Sequence, residues 1–459
     1  KGYFEKALQI IDSIQLNTLE LIQVNQDKAY LLYLISNYEA SVNECNTILK
    51  IDDKNTSALN TLGLCLLSLQ KHSEANITLL KAHGIDENNI EVLNSLGRLN
   101  HELRKSKEAE IYFNKAFVIN PNTFETLNNM AGFYLEESKY NKAIDFYKKA
   151  EALNPKNAIL LNNLAKTFVC INQVNEAEQY CRKAISIDKI NDEFKKTLSL
   201  ILLKKQDFKN AWLFFDGRLA LSNLIKKNQT LELVKNKIPK NEKIRSNSKI
   251  LVLREQGVGD EILYGTMYDD LLNNFSNVKI ECDERLMPLF KNSFSNFKNK
   301  FFKLGFFSND SKKIDNFDYV IYSGSLGRYF RKDLNSFSKK TYLVPLKDYK
   351  DIELEKIIKT SDIKIGISWK SFKNRYASEK SLSLEDFKNI FEINNSIFFN
   401  LQYGDIQNEL DKFIKKEKYK IITLKNLDLF NNFSGLANLL TKLDLFVTVS
   451  NSTAHLASA

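Results

Sequence analysis

A chain of 459 residues exceeds the size at which one hydrophobic core stops growing, so two or three domains are expected. Hydrophobic residues at 43 % beside charged residues at 27 % are ordinary for a globular protein, and no apolar run approaches the ~18 residues that span a bilayer, which excludes a helical integral membrane protein. The formal net charge of +10 permits anionic partners without naming one, and five cysteines (Cys45, Cys65, Cys170, Cys181, Cys282) without C-x-x-C spacing give neither a disulfide framework nor a zinc site, which fits a reducing cytosol. The chain opens "KGYFEKALQI", without methionine, charged n-region or apolar h-region, and reads as a fragment with no visible signal peptide.

From the start of the chain the dominant signal is self-similarity. Small residues recur at Gly63, Gly97, Ala131 and Ala165, at Ala75, Ala109, Ala143 and Ala177, and at Ala82, Ala116, Ala150 and Ala184, every step being about 34 residues. Pro121 and Pro155 keep the same step where one repeat gives way to the next, since proline cannot continue a helix. The register runs back through Ser41 and Ala29 to Ala7 and forward to Ala211. Small side chains let two helices approach closely, and Leu62, Leu96, Met130 and Leu164 fill the groove between them. The pattern resembles the tetratricopeptide repeat over residues 1–218, departing from it where the inter-repeat proline is missing around Asp53, Glu87 and Lys189. The resemblance implies an α-solenoid whose concave face takes a peptide or protein partner.

Residues 219–248 carry the richest basic run, Lys226, Lys227, Lys235, Lys237, Lys240, Lys243, Arg245 and Lys249 at its end. Without interleaved aromatics or a basic helical stripe it reads as an exposed, solvated connector, and no nucleic-acid partner is expected. From Lys249 onward the period changes to short apolar runs separated by helical stretches: "KILVL", "VKIEC", "DYVIY", "IKIGISW", "SIFFNLQ", "YKIITL" and "LDLFVTV". Strands alternating with helices predict parallel sheets of βαβ units in two groups, residues 249–345 and 361–459. Two such sheets facing one another make a cleft at the carboxyl ends of their strands.

Two turns stand out as candidate lining of that cleft. The first, "LREQGVGDEILYG", follows the first strand. It has Gly257 and Gly259 but no third glycine, and although Asp283 stands where a ribose-binding acid belongs, Asp260 and Glu261 at the helix start would repel a pyrophosphate, which argues against a nicotinamide site. Successive helix positions point about 100° apart, so one of Asp260 and Glu261 faces the cleft and the other does not. The glycines let an acceptor approach the backbone, and Asp260 serves either as a base or as the cap of its own helix. The second turn, "DLFVTVSNSTAHLASA", places Ser450, Asn451, Ser452 and Thr453 at a helix start with His455 in the first turn. Amides and hydroxyls without an acid among them suit a diphosphate, or Ser452 or Thr453 is an N-cap and His455 a structural histidine.

At these residues a second resemblance becomes definite. "LREQGVGDEILYG", "ECDERLMPLF", "YSGSLGRYFR", "IGISWKSFKNR", "LSLEDF", "FNLQYGD" and "LDLFVTVSNSTAHLASA" are similar, in order, to motifs of bacterial tetratricopeptide proteins whose C-terminal half resembles the ADP-heptose lipopolysaccharide heptosyltransferases. The resemblance implies a GT-B fold of two Rossmann-like α/β domains, the acceptor side at 249–345 and the nucleotide-sugar side at 361–459, the latter truncated. It implies a hexosyl- or heptosyltransferase-like enzyme with Asp260 as general base, flanked by Gly257, Gly259 and Glu261 in an acceptor loop. Donor contacts fall on Ser450, Asn451, Ser452, Thr453 and His455, with Lys370 or Arg375 and Gln402 from the loops after the second domain's first strands. Ser450 replaces the acid that the family carries at the head of that motif, so the donor's identity does not transfer. A nucleotide sugar is expected as substrate and a glycan, lipid-linked or protein hydroxyl as acceptor. No cofactor and no metal are expected, since no D-x-D pair stands at a strand end. A silent α/β scaffold and a protein O-glycosyltransferase are the alternative readings.

Overall fold

The computed structural model describes residues 6–8, 18–221, 230–239, 243–346, 352–360, 362–371 and 380–459. They form two compact units, Lys1–Ile190 and Asn191–Ala459.

The first unit is a row of helical hairpins: α1 (Thr18–Leu34) with α2 (Tyr38–Ile51), α3 (Thr56–Ser68) with α4 (His72–Ile85), α5 (Ile90–Glu102) with α6 (Ser106–Ile119), α7 (Phe124–Glu136) with α8 (Tyr140–Leu153), and α9 (Ala158–Cys170) with α10 (Val174–Ile187). Within each hairpin the first helix ends on a left-handed residue, Ser36, Gln70, Arg104, Ser138 or Asn172, at φ of 58–67°. The Lys71 amide then reaches back to the Leu66 carbonyl at 2.9 Å, and the equivalent bond recurs at Lys105, Lys139 and Gln173, the Schellman closure of a helix. Between hairpins the next helix starts on an asparagine cap whether or not a proline precedes it. Asn55 and Asn89 accept from the amides of Ala58 and Val92 at boundaries without proline, and Asn157, two residues after Pro155, accepts from Leu160. The alanine columns are fully buried, and a Cβ built on Gly63 or Gly97 would lie 2.5 Å from Leu79 or Phe113, so these two glycines are demanded by contact between the paired helices.

The second unit opens with a further hairpin in the same register, Asp192–Lys204 and Phe208–Phe215. It packs into the α/β part: Trp212 Nε1 donates to the Arg331 carbonyl at 2.6 Å and its ring fills the space beside Gly327. The division at Ile190 thus falls one hairpin earlier than the repeat pattern alone suggests. The basic segment also differs from expectation. Lys226, Lys227 and Lys240 lie outside the described residues, but Leu219, Val234 and Ile244 are buried, and Leu231 and Ile238 pack beside Val234 against the first sheet. Leu231, Val234 and Ile238 recur at helical spacing among the lysines, and that stripe docks what was read as an exposed connector.

Two four-stranded parallel sheets follow, of order β3-β2-β1-β4 and β7-β6-β5-β8. The first comprises β1 (Ile250–Leu253), β2 (Val278–Cys282), β3 (Phe301–Lys303) and β4 (Tyr319–Tyr322); the second β5 (Ile363–Ser368), β6 (Ser396–Asn400), β7 (Ile421–Ile422) and β8 (Leu445–Thr448). In both, the first strand in sequence lies inside, flanked by the second and the last. The sheets share one apolar core, in which Phe290, Ile262 and Leu271 of the first half join Phe399, Leu401, Phe433 and Leu436 of the second.

Gly97→Val inserts a branched side chain where Phe113 already sits. It should destabilise the full chain by about 1–3 kcal/mol, read as a lowered urea midpoint of the helical signal. An unchanged midpoint would show that the columns are not in contact.

Candidate functional site

Loops from both sheets line a single cleft of about 360 Å³. Gly257 to Asp260 come from the end of β1, Arg285 from β2, Ser371 and Lys380 from β5, Tyr403 from β6, Leu429, Phe430 and Phe433 from β7, and Ser450, Asn451, Ser452 and His455 from β8. These are carboxyl ends of parallel strands, where a strand-to-helix turn exposes backbone amides to a ligand.

The loop after β1 is fixed from behind by two buried carboxylates. Glu255 accepts from the Gly324 amide at 2.6 Å and from Arg218 Nη2 at 2.8 Å. Burial raises its carboxyl, although Arg218 opposes the shift. Glu261 accepts from the Asp283 amide at 2.9 Å and lies 2.9 Å from Arg254 Nε. Burial pushes its carboxyl up to about 7 against that guanidinium. Burial also acts to raise Asp283, but hydrogen bonds from Arg285 and the charges of Arg254 and Arg285 hold it down at about 2.

Of the two neighbouring acids, Asp260 lines the cleft and Glu261 is buried behind it. Asp260 Oδ2 accepts from the Gly257 amide at 3.2 Å, so it caps the helix Val258–Gly265. The Gln256 amide, in the orientation that satisfies both its ends, adds donors at 3.3 Å to both carboxylate oxygens. Gly259 serves packing: a Cβ there would lie 2.9 Å from His455 Cδ2 and 3.4 Å from Ser452 Cα, so its missing side chain lets the β8 helix Ser452–Ser458 approach. A Cβ on Gly257 would make only an ordinary contact, 3.6 Å from Asp260.

On the second sheet, one buried polar knot ties three loops together. Ser368 Oγ donates to Gln402 Oε1 at 3.1 Å and accepts from Asn451 Nδ2 at 2.7 Å. Gln402 Oε1 also accepts from the amides of Trp369 and Lys370 at 2.9 and 2.6 Å. Asn451 caps its helix through the Ala454 amide at 3.0 Å. Gln402 therefore lies behind the cleft and not in it, Thr453 is buried at 1 % exposure, and the Lys370 ammonium is paired with Glu409. Arg375 lies outside the described residues. The structure thus brings Asp260, Gly257, Gly259, Ser450, Asn451, Ser452 and His455 to one cleft, and leaves Glu261, Thr453, Gln402 and Lys370 off its lining. Arg285, Lys380, Tyr403 and Phe430 join it although they were not singled out in sequence. Arg285 and Tyr403 stand inside "ECDERLMPLF" and "FNLQYGD", and being the cation and the aromatic nearest the ends of β2 and β6 was their only signal.

Family models of the tetratricopeptide repeat match residues 90–123, 124–157 and 158–187. Protein FlbA of Caulobacter vibrioides is 26 % identical over 236 residues, a match covering 46 % of this chain and 38 % of FlbA, so the chain spans well under half the length of that relative. Solved structures with likeness include a thermophilic tetratricopeptide-repeat protein of Thermus thermophilus (18 % identity, TM-score 0.38, 40 % of this chain and 99 % of that one). Another is PilF of Pseudomonas aeruginosa (21 % identity, TM-score 0.34, 36 % and 76 %). Residues 90–187 are tetratricopeptide repeats. No helix among the described residues is long and apolar enough to cross a membrane.

The raised Glu261 carboxyl has a consequence for stability. From pH 4.5, its ordinary value, to about 7, its folded value, the native state binds more protons than the unfolded chain, so the Glu261 contribution falls as pH rises through that window. Glu261→Gln, neutral throughout, should flatten this part of the urea-stability profile. The same slope in both proteins would place the titration elsewhere.

Proposed function

We propose that the α/β unit is a glycosyltransferase of GT-B type, which binds a nucleotide-sugar donor in the cleft and transfers its sugar to a hydroxyl of an acceptor presented by the repeat array. The observation that carries the reading is the convergence of loops from two parallel sheets of like strand order on one cleft. Loops are laid out in strand order, so the aromatic residues after β6 and β7 stand at one side of the second sheet and the hydroxyls after β8 at the other. Three strand spacings of about 4.8 Å separate β7 from β8, or roughly 14 Å, a span that accommodates a nucleoside diphosphate with its base toward Tyr403 and Phe430. The diphosphate then meets Ser450 and Ser452, and the sugar comes toward Asp260. In the transfer step the acceptor oxygen attacks the anomeric carbon, its proton passes to Asp260, and the bond to the phosphate oxygen breaks with its electron pair, releasing the nucleoside diphosphate. The reading is metal-independent, with Asp260 the one carboxylate among the described residues of the lining.

A non-catalytic nucleotide-binding scaffold is the second reading, favoured by the use of Asp260 as a helix cap. Either way, the repeats at 90–187 supply a surface for a peptide or protein partner.

A thermal-shift series of the full chain against UDP-, ADP- and GDP-sugars tests donor binding. Ser452→Asp should abolish the stabilisation that the best donor gives, by setting an anion against its phosphates, while a chelator changes little. Loss with chelator and survival in Ser452→Asp would refute this placement of the donor. With donor and acceptor identified, Asp260→Asn should leave nucleotide affinity nearly intact and lower turnover about a hundredfold or more. Intact donor binding with no turnover in the unsubstituted protein would favour the scaffold.

A further inference from the structure

Arg285 is one of two cations that line the cleft, Lys380 being the other, and its charge is already spent. Its guanidinium grips Asp283 with two bonds, Nε to Oδ1 at 2.8 Å and Nη2 to Oδ2 at 2.9 Å, and Asp283 is held in turn by Arg254 Nη1 at 2.7 Å. A bidentate pair of this kind orients the fork and leaves little charge for an incoming anion. The remaining nitrogen crosses to the other sheet. Nη1 donates to the Phe430 carbonyl at 3.2 Å, and the guanidinium carbon lies 4.8 Å from the Phe430 ring centroid and 5.6 Å from that of Phe433.

What it touches there is a preformed turn. Asp428 Oδ1 accepts from the amides of Phe430 and Asn431 at 2.9 and 3.0 Å, its Oδ2 accepts from the Asn431 side chain at 2.8 Å, and the Asn432 amide closes on the Asp428 carbonyl at 2.9 Å. These bonds all lie within Asp428–Asn432, so the turn is closed on itself. Phe430 at its tip is 54 % exposed although it lines the cleft, whereas Phe433 at its base is buried at 4 %. A rigid tip on a fixed base, with one cation from the opposite sheet on the tip, is a strap.

We propose that Arg285 is a clasp setting the opening of the cleft, and that the Asp428–Asn432 turn is the gate it holds to the first sheet. Asp283 and Arg254 are positioning residues that keep the clasp aimed. The clasp does not depend on which ligand the cleft takes.

Hydrogen–deuterium exchange of the full chain, without ligand, tests this. Arg285→Ala removes the bond and the stacked cation together, so amides of residues 428–433 should exchange about tenfold faster or more, with β5, β6 and the repeats at 90–187 unchanged. Asp283→Asn should give the same local pattern in weaker form, because the fork loses its aim while the cation remains. Arg285→Lys keeps a charge beside Asp283 and loses the fork; it should open the turn too, and it decides the matter if Arg285→Ala does not fold. Unaltered exchange at 428–433 in Arg285→Lys, or a rise spread equally over β5 and β6, would overturn the proposal.

Discussion

A parallel strand that ends at a cleft leaves polar backbone in a place where water is scarce, and buried side chains must complete its hydrogen bonds. The structure depends on four such groups. Glu255 and Glu261 serve the loops of the first sheet, taking the amides of Gly324 and Asp283, and Gln402 and Asn451 serve the second, taking those of Trp369, Lys370 and Ala454. Each tethers one loop to another, and the turn after β7 is the part of the lining that none of the four holds. An ionised carboxylate is costly to bury, which is why Arg218 and Arg254 accompany the two glutamates.

These tethers explain a division of labour among adjacent residues. Asp260 and Glu261 differ by one helix position, and the 100° between them puts one carboxylate in the cleft and the other in the wall. Asn451 does both: its oxygen caps a helix and its nitrogen joins the Ser368 knot, while the residue still lines the cleft. A ligand that meets Ser450 and Ser452 therefore meets backbone whose position was settled before it arrived, the condition under which fixed dipoles are most effective.

How much of this could be read from the residues varies with the range of the cause. The hairpins were legible because the small-residue columns and the helix ends repeat every 34 residues or so, and the contacts they make lie within one or two hairpins. Most strands were legible as apolar runs, but β3 was not: three residues long, with Lys303 at its end, it is an edge strand whose partner β2 supplies the pattern it lacks. Lys235 and Lys237, set between Val234 and Ile238, mask the stripe Leu231, Val234, Ile238. Lys370 and Gln402 were misplaced for another reason. Their partners, Glu409 for one and the amides of residues 369 and 370 for the other, are set by tertiary packing of elements 32 to 39 residues away, and no local rule names them. Arg285 was hidden likewise, since its role depends on the Phe430 carbonyl of the other sheet.

Capping of its own helix does not bar Asp260 from the proposed role of base. A carboxylate has two oxygens and about four acceptor directions; the Gly257 amide at 3.2 Å uses one on Oδ2 and the Gln256 side chain at 3.3 Å meets both oxygens, which leaves a direction of Oδ1 open. The Gly257 bond holds the carboxylate against the start of its own helix. It fixes the rotamer, so the other oxygen keeps one position relative to the β8 helix that Gly259 allows to come close. A base that must meet a hydroxyl at hydrogen-bond distance gains from such restraint, because a floppy carboxylate would give up orientation at every turnover. What separates the two readings is thus whether an acceptor hydroxyl reaches the oxygen that the cap leaves open.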